Sequence, residues 1–126
     1  MIFDTDVLIW SLRGNRLAGK AIDAESDRKV SIISYMELVQ GARDKVELNT
    51  IRSFLREAGF TVLPLSESIG SLGLTYLEEH ALSRGLELAD ALVAATAVIS
   101  NEALCTANIK HFRCVPELTL KPFRNR

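Results

Sequence analysis

Short apolar runs alternate along this chain with longer stretches in which apolar residues return every three or four positions. Met1-Ile2-Phe3 is a strand candidate, and the Asp4 to Leu12 segment that follows is broken by Arg13-Gly14-Asn15. Leu17 to Arg28 predicts a surface helix with Leu17, Ala21 and Ala24 on one face. Val30 to Ile33 is the second strand candidate, followed by a helical Ser34 to Arg43. Val46 to Ala58 carries Leu48, Ile51, Phe54 and Leu55 at helical spacing and closes at Gly59. Phe60 to Leu63 predicts a third strand, ended by Pro64. Ser66 to Ser83 predicts a long helix closed by Gly85. Leu88 to Ser100 is almost wholly apolar and predicts a buried helix. Ala103 to Thr106 reads as a fourth strand and Leu118 to Leu120 as a fifth, before a basic tail.

Strands alternating with helices predict an α/β fold: one domain over residues 1–126, with a central parallel sheet of four to five strands and helices on both faces. Right-handed crossovers follow. In such folds ligands bind outside the carboxyl ends of the strands, so chemistry is sought there.

The carboxylates fall at those ends. Asp4 lies just past the first strand, where it can cap the next helix, and Asp6 sits in that helix's first turn. Glu37 follows the second strand within Ser34-Tyr35-Met36-Glu37, which reads as a capping box with Ser34 at the N-cap. A Glu at a helix start also points toward the carboxyl edge of the sheet. Asp90 opens the apolar segment LADALVAATAVI. An acid there is paired, binds a cation, or takes the exposed N-terminal end of the helix. Asn108 after the fourth strand reads as a turn residue, with the Thr106 hydroxyl two positions before it. Each residue has a purely structural reading, but together they gather acids at one edge. Three close carboxylates do not all stay ionised without a cation. Such oxygen donors suit Mg²⁺ or Mn²⁺ rather than Zn²⁺, and carboxylate-held ions serve phosphodiester cleavage.

Composition changes this picture little. Of 126 residues, 48% are hydrophobic and 25% charged, with a net charge of −1, so disorder is excluded and whole-chain charge names no partner. No apolar run reaches the roughly 18 to 20 residues of a membrane span. Asp4 and Asp6 stand where a signal peptide has positive charge, and Cys105 and Cys114 form no CxxC, so a reducing cytoplasm is expected. Charge is uneven, however. Residues 64–107 carry net −5 and residues 110–126 net +4. Arg13, Arg16 and Lys20 follow the first acidic segment, and Arg43 and Lys45 the second. With Lys110 they are rim candidates for nucleic acid, though each also reads as a solubilising charge. Ile69-Gly70-Ser71-Leu72-Gly73 lies in a helical pattern and reads as a site of close helix packing. There is no Walker motif, dinucleotide fingerprint or HExxH. His111 and Phe112 lie near the last motif, where a structural role is favoured over RNA contact; Cys105 and Trp10 read as core residues.

DTDVLIW at 4–10, ISYMELVQGA at 33–42, LADALVAATA at 88–97 and TANIKHF at 106–112 stand in an order and spacing that resembles PIN-domain ribonucleases, above all the toxins of VapBC-type toxin–antitoxin pairs. The resemblance implies that Asp4, Glu37 and Asp90 are the acidic metal ligands and catalytic residues. Asn108 falls where many members carry a fourth acid, and the amide removes one negative charge. Asp6 lies where relatives often have Asn and returns a charge, while Thr5 and Thr106 match hydroxyl positions near the site. The resemblance further implies a Mg²⁺- or Mn²⁺-dependent endoribonuclease acting through metal-activated water. It implies a homodimer held inactive by a small VapB-like antitoxin. Three other readings stay open: a PIN nuclease of RNA processing with no antitoxin, a catalytically silent RNA-binding module whose acids only cap helices, and a receiver-like domain. The last lacks an Asp after Leu63.

Overall fold

A computed structural model describes residues 1–126. The order is β1 (Ile2–Phe3), α1 (Thr5–Leu12), α2 (Arg16–Asp23), β2 (Lys29–Ser31), α3 (Ile32–Gly41), α4 (Lys45–Glu57), β3 (Thr61–Leu63), α5 (Glu67–Arg84), α6 (Leu88–Ile99), β4 (Leu104–Thr106), α7 (Ile109–Phe112) and β5 (Leu120–Pro122). The five strands form one sheet in the order β3-β2-β1-β4-β5, every pair parallel. This is the predicted α/β architecture at the upper end of the expected strand number.

Successive strand residues face opposite sides of a sheet, and the two-residue β1 divides the core accordingly. Ile2 pairs in register with Leu104, and both enter a cluster with Tyr76, Ala91, Ala94 and Phe112 under α5 and α6. Phe3 pairs with Cys105, and both enter a second cluster with Val7, Leu8, Ile22, Val30 and Ile51 under α1 to α4. Burial of the apolar segment, Cys105 and the face of Trp10 therefore follows the sequence reading. Of the two glycines singled out in α5, only Gly73 marks a close approach: a methyl there would stand 2.9 Å from Leu92 Cδ2, whereas Gly70 faces open space.

Four local expectations are corrected. The second helix ends at Asp23, not Arg28, because the Arg28 guanidinium turns back onto the carbonyls of Ile22 and Glu25, at 2.9 Å each, and also reaches Ala58 O at 2.8 Å. The buried face of that helix is Ala18 and Ile22 rather than Leu17 and Ala24. The capping box does not form. Ser31 is the N-cap of α3 and its hydroxyl accepts from Ile33 N at 3.1 Å. Ser34 lies inside the helix, fully buried, with no partner for its hydroxyl. Glu37 is therefore one turn beyond the first and is free of capping duty. Finally, the last strand lies two residues later than predicted, with Pro122 on an edge strand where its missing N–H costs nothing.

The chain moves outward from β1 to β2 and β3, then returns to the other side of β1 for β4 and β5. The order reverses at β1 and β4. The crevice outside their carboxyl ends is where such a sheet takes a ligand.

Candidate functional site

Asp4 leaves β1 directly into that crevice. It is 6% exposed. Its Oδ1 accepts from Thr5 N at 2.8 Å, which caps α1, and its Oδ2 accepts from the Thr106 hydroxyl at 2.7 Å across the switch point. Two residues on, Asp6 Oδ2 accepts from Ala107 N at 3.0 Å and Oδ1 from Val7 N at 2.7 Å. The end of β4 is thus stitched to the start of α1 through two carboxylates. Glu37 joins from α3: its Oε1 accepts from the Thr5 hydroxyl at 2.7 Å. Asp90, in the first turn of α6, has its Oδ2 3.4 Å from His111 Nδ1.

The electrostatics are those of an acid cluster short of positive charge. Burial, then the neighbouring Asp6, push Asp4 up to about 7, against hydrogen bonds from Thr106 and Thr5 that act to lower it; Asp90 adds to the rise. Burial raises Asp6 as well, opposed by the Ala107 and Val7 amides. Burial raises Asp90, with His111 pulling the other way and Glu87 and Glu37 adding to the rise. His111 is the one basic side chain within ion-pairing distance of any of these four acids.

As the side chains stand, no three of the chain's His, Cys, Asp or Glu residues converge tightly enough to enclose an ion. Asp4, Asp6 and Glu37 are gathered by Thr5, Thr106 and backbone amides, and their oxygens keep lone-pair capacity beyond the hydrogen bonds they accept. The donor set nonetheless fits a hard divalent cation: carboxylate oxygens only, raised in pKa by burial and mutual repulsion, which a cation relieves.

The predicted residues are not all brought in equally. Asp4, Asp6, Thr5, Thr106 and Glu37 form one hydrogen-bonded set, and Asp90 stands beside it, coupled to Asp4 and Glu37 by charge alone. Asn108 joins through its backbone, with N donating to Thr106 Oγ1 at 2.9 Å, while its side chain makes no capping bond. Arg13 and Arg43 line a groove of about 580 Å³ together with Glu37, Ile9, Leu12 and Leu38. Arg43 is committed there: its guanidinium meets both Glu47 oxygens, at 2.8 to 3.2 Å, and holds Glu47 down to about 2. Lys110 is exposed on α7, and Arg16 opens α2. His111, expected in a structural role, stands beside Asp90. Its position three residues after Asn108, on a short helix the sequence pattern did not predict, was the available signal.

A PIN-domain family model matches residues 1–118. Ribonuclease VapC10 of Mycobacterium tuberculosis is 32% identical to the chain, covering 94% of it and 90% of the relative. Ribonuclease VapC19 of the same organism is 28% identical, covering 93% and 95%. Among solved structures, a toxin–antitoxin complex from Klebsiella pneumoniae is 29% identical, with a TM-score of 0.76 and 94% of both chains covered. VapBC2 from Rickettsia felis, bound to a DNA fragment from its promoter, shares the fold at a TM-score of 0.82 and 20% identity, covering 98% and 100%.

Proposed function

The chain belongs to the PIN-domain family, and from that premise we propose that it is a divalent-metal-dependent endoribonuclease, the toxin of a toxin–antitoxin pair. The observation that carries the reading is Asp4: a buried carboxyl at the β1/β4 switch point, pushed up to about 7 beside Asp6 and Asp90. The ribonuclease names of the relatives support RNA as substrate, and the toxin–antitoxin complexes among the structural neighbours support a small VapB-like partner.

In this reading Asp4, Glu37 and Asp90 hold Mg²⁺ or Mn²⁺. Held there, the ion would supply Lewis-acid chemistry for the attack of water on a phosphodiester. Thr5 fixes Glu37, and Thr106 fixes Asp4, by the hydroxyl bonds already described. Asp6 adds negative charge and ties the β4 exit in place. The Asn108 amide leaves the cluster one charge poorer than an acid would. Arg13, Arg16 and Lys110 attract the RNA backbone at the rim, and Arg43, paired with Glu47, contributes less. The groove beside Glu37, with apolar Ile9, Leu12 and Leu38 in its wall, suits an inhibiting segment of the antitoxin. A homodimer and a cytoplasmic location belong to the same proposal; no helix is long and apolar enough to cross a membrane.

Purified protein, freed of antitoxin, is incubated with a mixed tRNA and rRNA pool in Mg²⁺, Mn²⁺ or EDTA, with Asp4→Asn in parallel. Discrete fragments that vanish in EDTA and in the variant are expected. RNA that is bound but uncut in either metal would favour the silent-module reading.

A further inference from the structure

The acid cluster leans on one basic side chain for which the nuclease reading has given no task. His111 stands with Nδ1 3.4 Å from Asp90 Oδ2, and its side chain is 51% exposed. Its placement is tightly determined. The neighbouring Phe112 is fully buried among Ile2, Ala94 and Leu104, so α7 is anchored without help from the imidazole. The approach to α7 is tied to the acids: Ala107 N donates to Asp6, Asn108 N to the Thr106 hydroxyl, and His111 N to Asn108 O at 3.1 Å. The α7 backbone is therefore fixed between the core and the cluster, while the imidazole is half open to solvent. The Asp90 carboxylate lies on the Nδ1 side of the ring at ion-pair distance, which leaves Nε2 for another partner. A cluster of four acids repels a polyanion. An inner-rim group that hydrogen-bonds the strand offsets this and sets its register without reading bases.

We propose that His111 is a substrate-contact residue: with Asp90 beside Nδ1, Nε2 hydrogen-bonds the sugar–phosphate backbone of RNA at the reacting nucleotide. The assignment rests on the endoribonuclease reading. It differs from the structural role that sequence alone favoured, because Phe112 already anchors the helix.

The test compares wild type with His111→Ala and His111→Gln on an RNA the wild type cuts. Affinity for the same RNA is measured in Asp4→Asn with and without His111→Ala. The midpoint of Mn²⁺-induced thermal stabilisation is read for each single His111 variant. Loss of one backbone contact predicts a fall of about tenfold in kcat/KM for His111→Ala and a comparable weakening of RNA affinity, with partial recovery in His111→Gln. The Mn²⁺ midpoint stays within about twofold if the contact is to substrate, since a ligand-supporting role would move it about tenfold or more. A 2′-deoxy residue at the scissile nucleotide that erases the His111→Ala effect assigns the contact to the 2′-hydroxyl; an effect that survives assigns it to phosphate. Wild-type cleavage matched by His111→Ala overturns the proposal. So does a loss of Mn²⁺ affinity in step with the loss of rate, which would leave His111 only orienting Asp90. A wild type that neither binds nor cuts RNA overturns the nuclease reading itself, and this assignment with it.

Discussion

At the amino edge of the sheet, Glu102 meets Lys29 Nζ at 2.8 Å and the Met1 amine at 2.6 Å, while Asp27 meets Lys29 at 2.9 Å. At the carboxyl edge, of Asp4, Asp6, Glu37 and Asp90 only Asp90 has a basic partner, the His111 imidazole at 3.4 Å. The contrast shows in the ionisation of the acids. Hydrogen bonds from Lys29 and the Met1 amine hold Glu102 below its ordinary value, whereas burial and neighbouring acids push Asp4 up to about 7. One edge is closed by its own ion pairs. The other is assembled with negative charge in excess, which in an α/β sheet is the edge reserved for ligands. Local charge balance, more than the presence of acids, distinguishes the two edges.

The largest effect that tests this contrast is on activity. Asp4→Asn or Asp90→Asn is expected to lower metal-dependent RNA cleavage by at least about a hundredfold. Glu102→Gln, at the closed edge, is expected to leave cleavage within about twofold while lowering the melting temperature, because its loss strands partly buried cations. Cleavage rates and melting curves on the three variants check both halves.

The next effect is on stability in EDTA, and the two edges predict opposite signs. Between the unfolded value of 3.8 and about 7, folded Asp4 keeps a proton that the unfolded chain has released. Its contribution therefore makes the metal-free protein lose stability as pH rises through that window and level off above it. Asp4→Asn should flatten this fall. Glu102, lowered from 4.5, contributes stability that is present above its unfolded value and is lost as pH falls through the folded one. Glu102→Gln should remove that acid-side loss. Denaturant melts across pH 3 to 9, a range of about six units spanning both windows, check each slope.

A smaller effect concerns Ser34, whose buried hydroxyl has no partner one turn before Glu37. Ser34→Ala is expected to stabilise the fold by about 1 kcal/mol, read from denaturant midpoints. The smallest concerns Arg43, committed to Glu47. Arg43→Ala should weaken RNA binding less than Arg13→Ala does, as measured by anisotropy at two salt concentrations.

Much of this was legible in the sequence because the relevant signals were local. The strand–helix alternation fixed the architecture, and Asp4 read as both cap and strand-end acid, which it is. For Glu37 the local structural reading fails while its place near the carboxyl edge holds. The Ser34–Glu37 spacing imitates a capping box, but Ser31 caps α3, and what orients Glu37 is Thr5, 32 positions away. The end of α2 was misread because Arg28 caps it through a side chain reaching back along the chain. The Asp90–His111 contact joins α6 and α7 across the turn made by β4, and no periodicity or spacing encodes it. Local propensity and pattern are visible in one dimension; side-chain bonds across the sheet edge are not.

The central claim is that the open edge is built to be completed by a divalent ion. Calorimetric titration of Mn²⁺ into wild type and Asp4→Asn at neutral pH addresses it directly. The account predicts saturable binding to the wild type, with proton release as the raised carboxyls ionise, and loss of that binding in the variant. Equal binding in both proteins, or none in either, would contradict it.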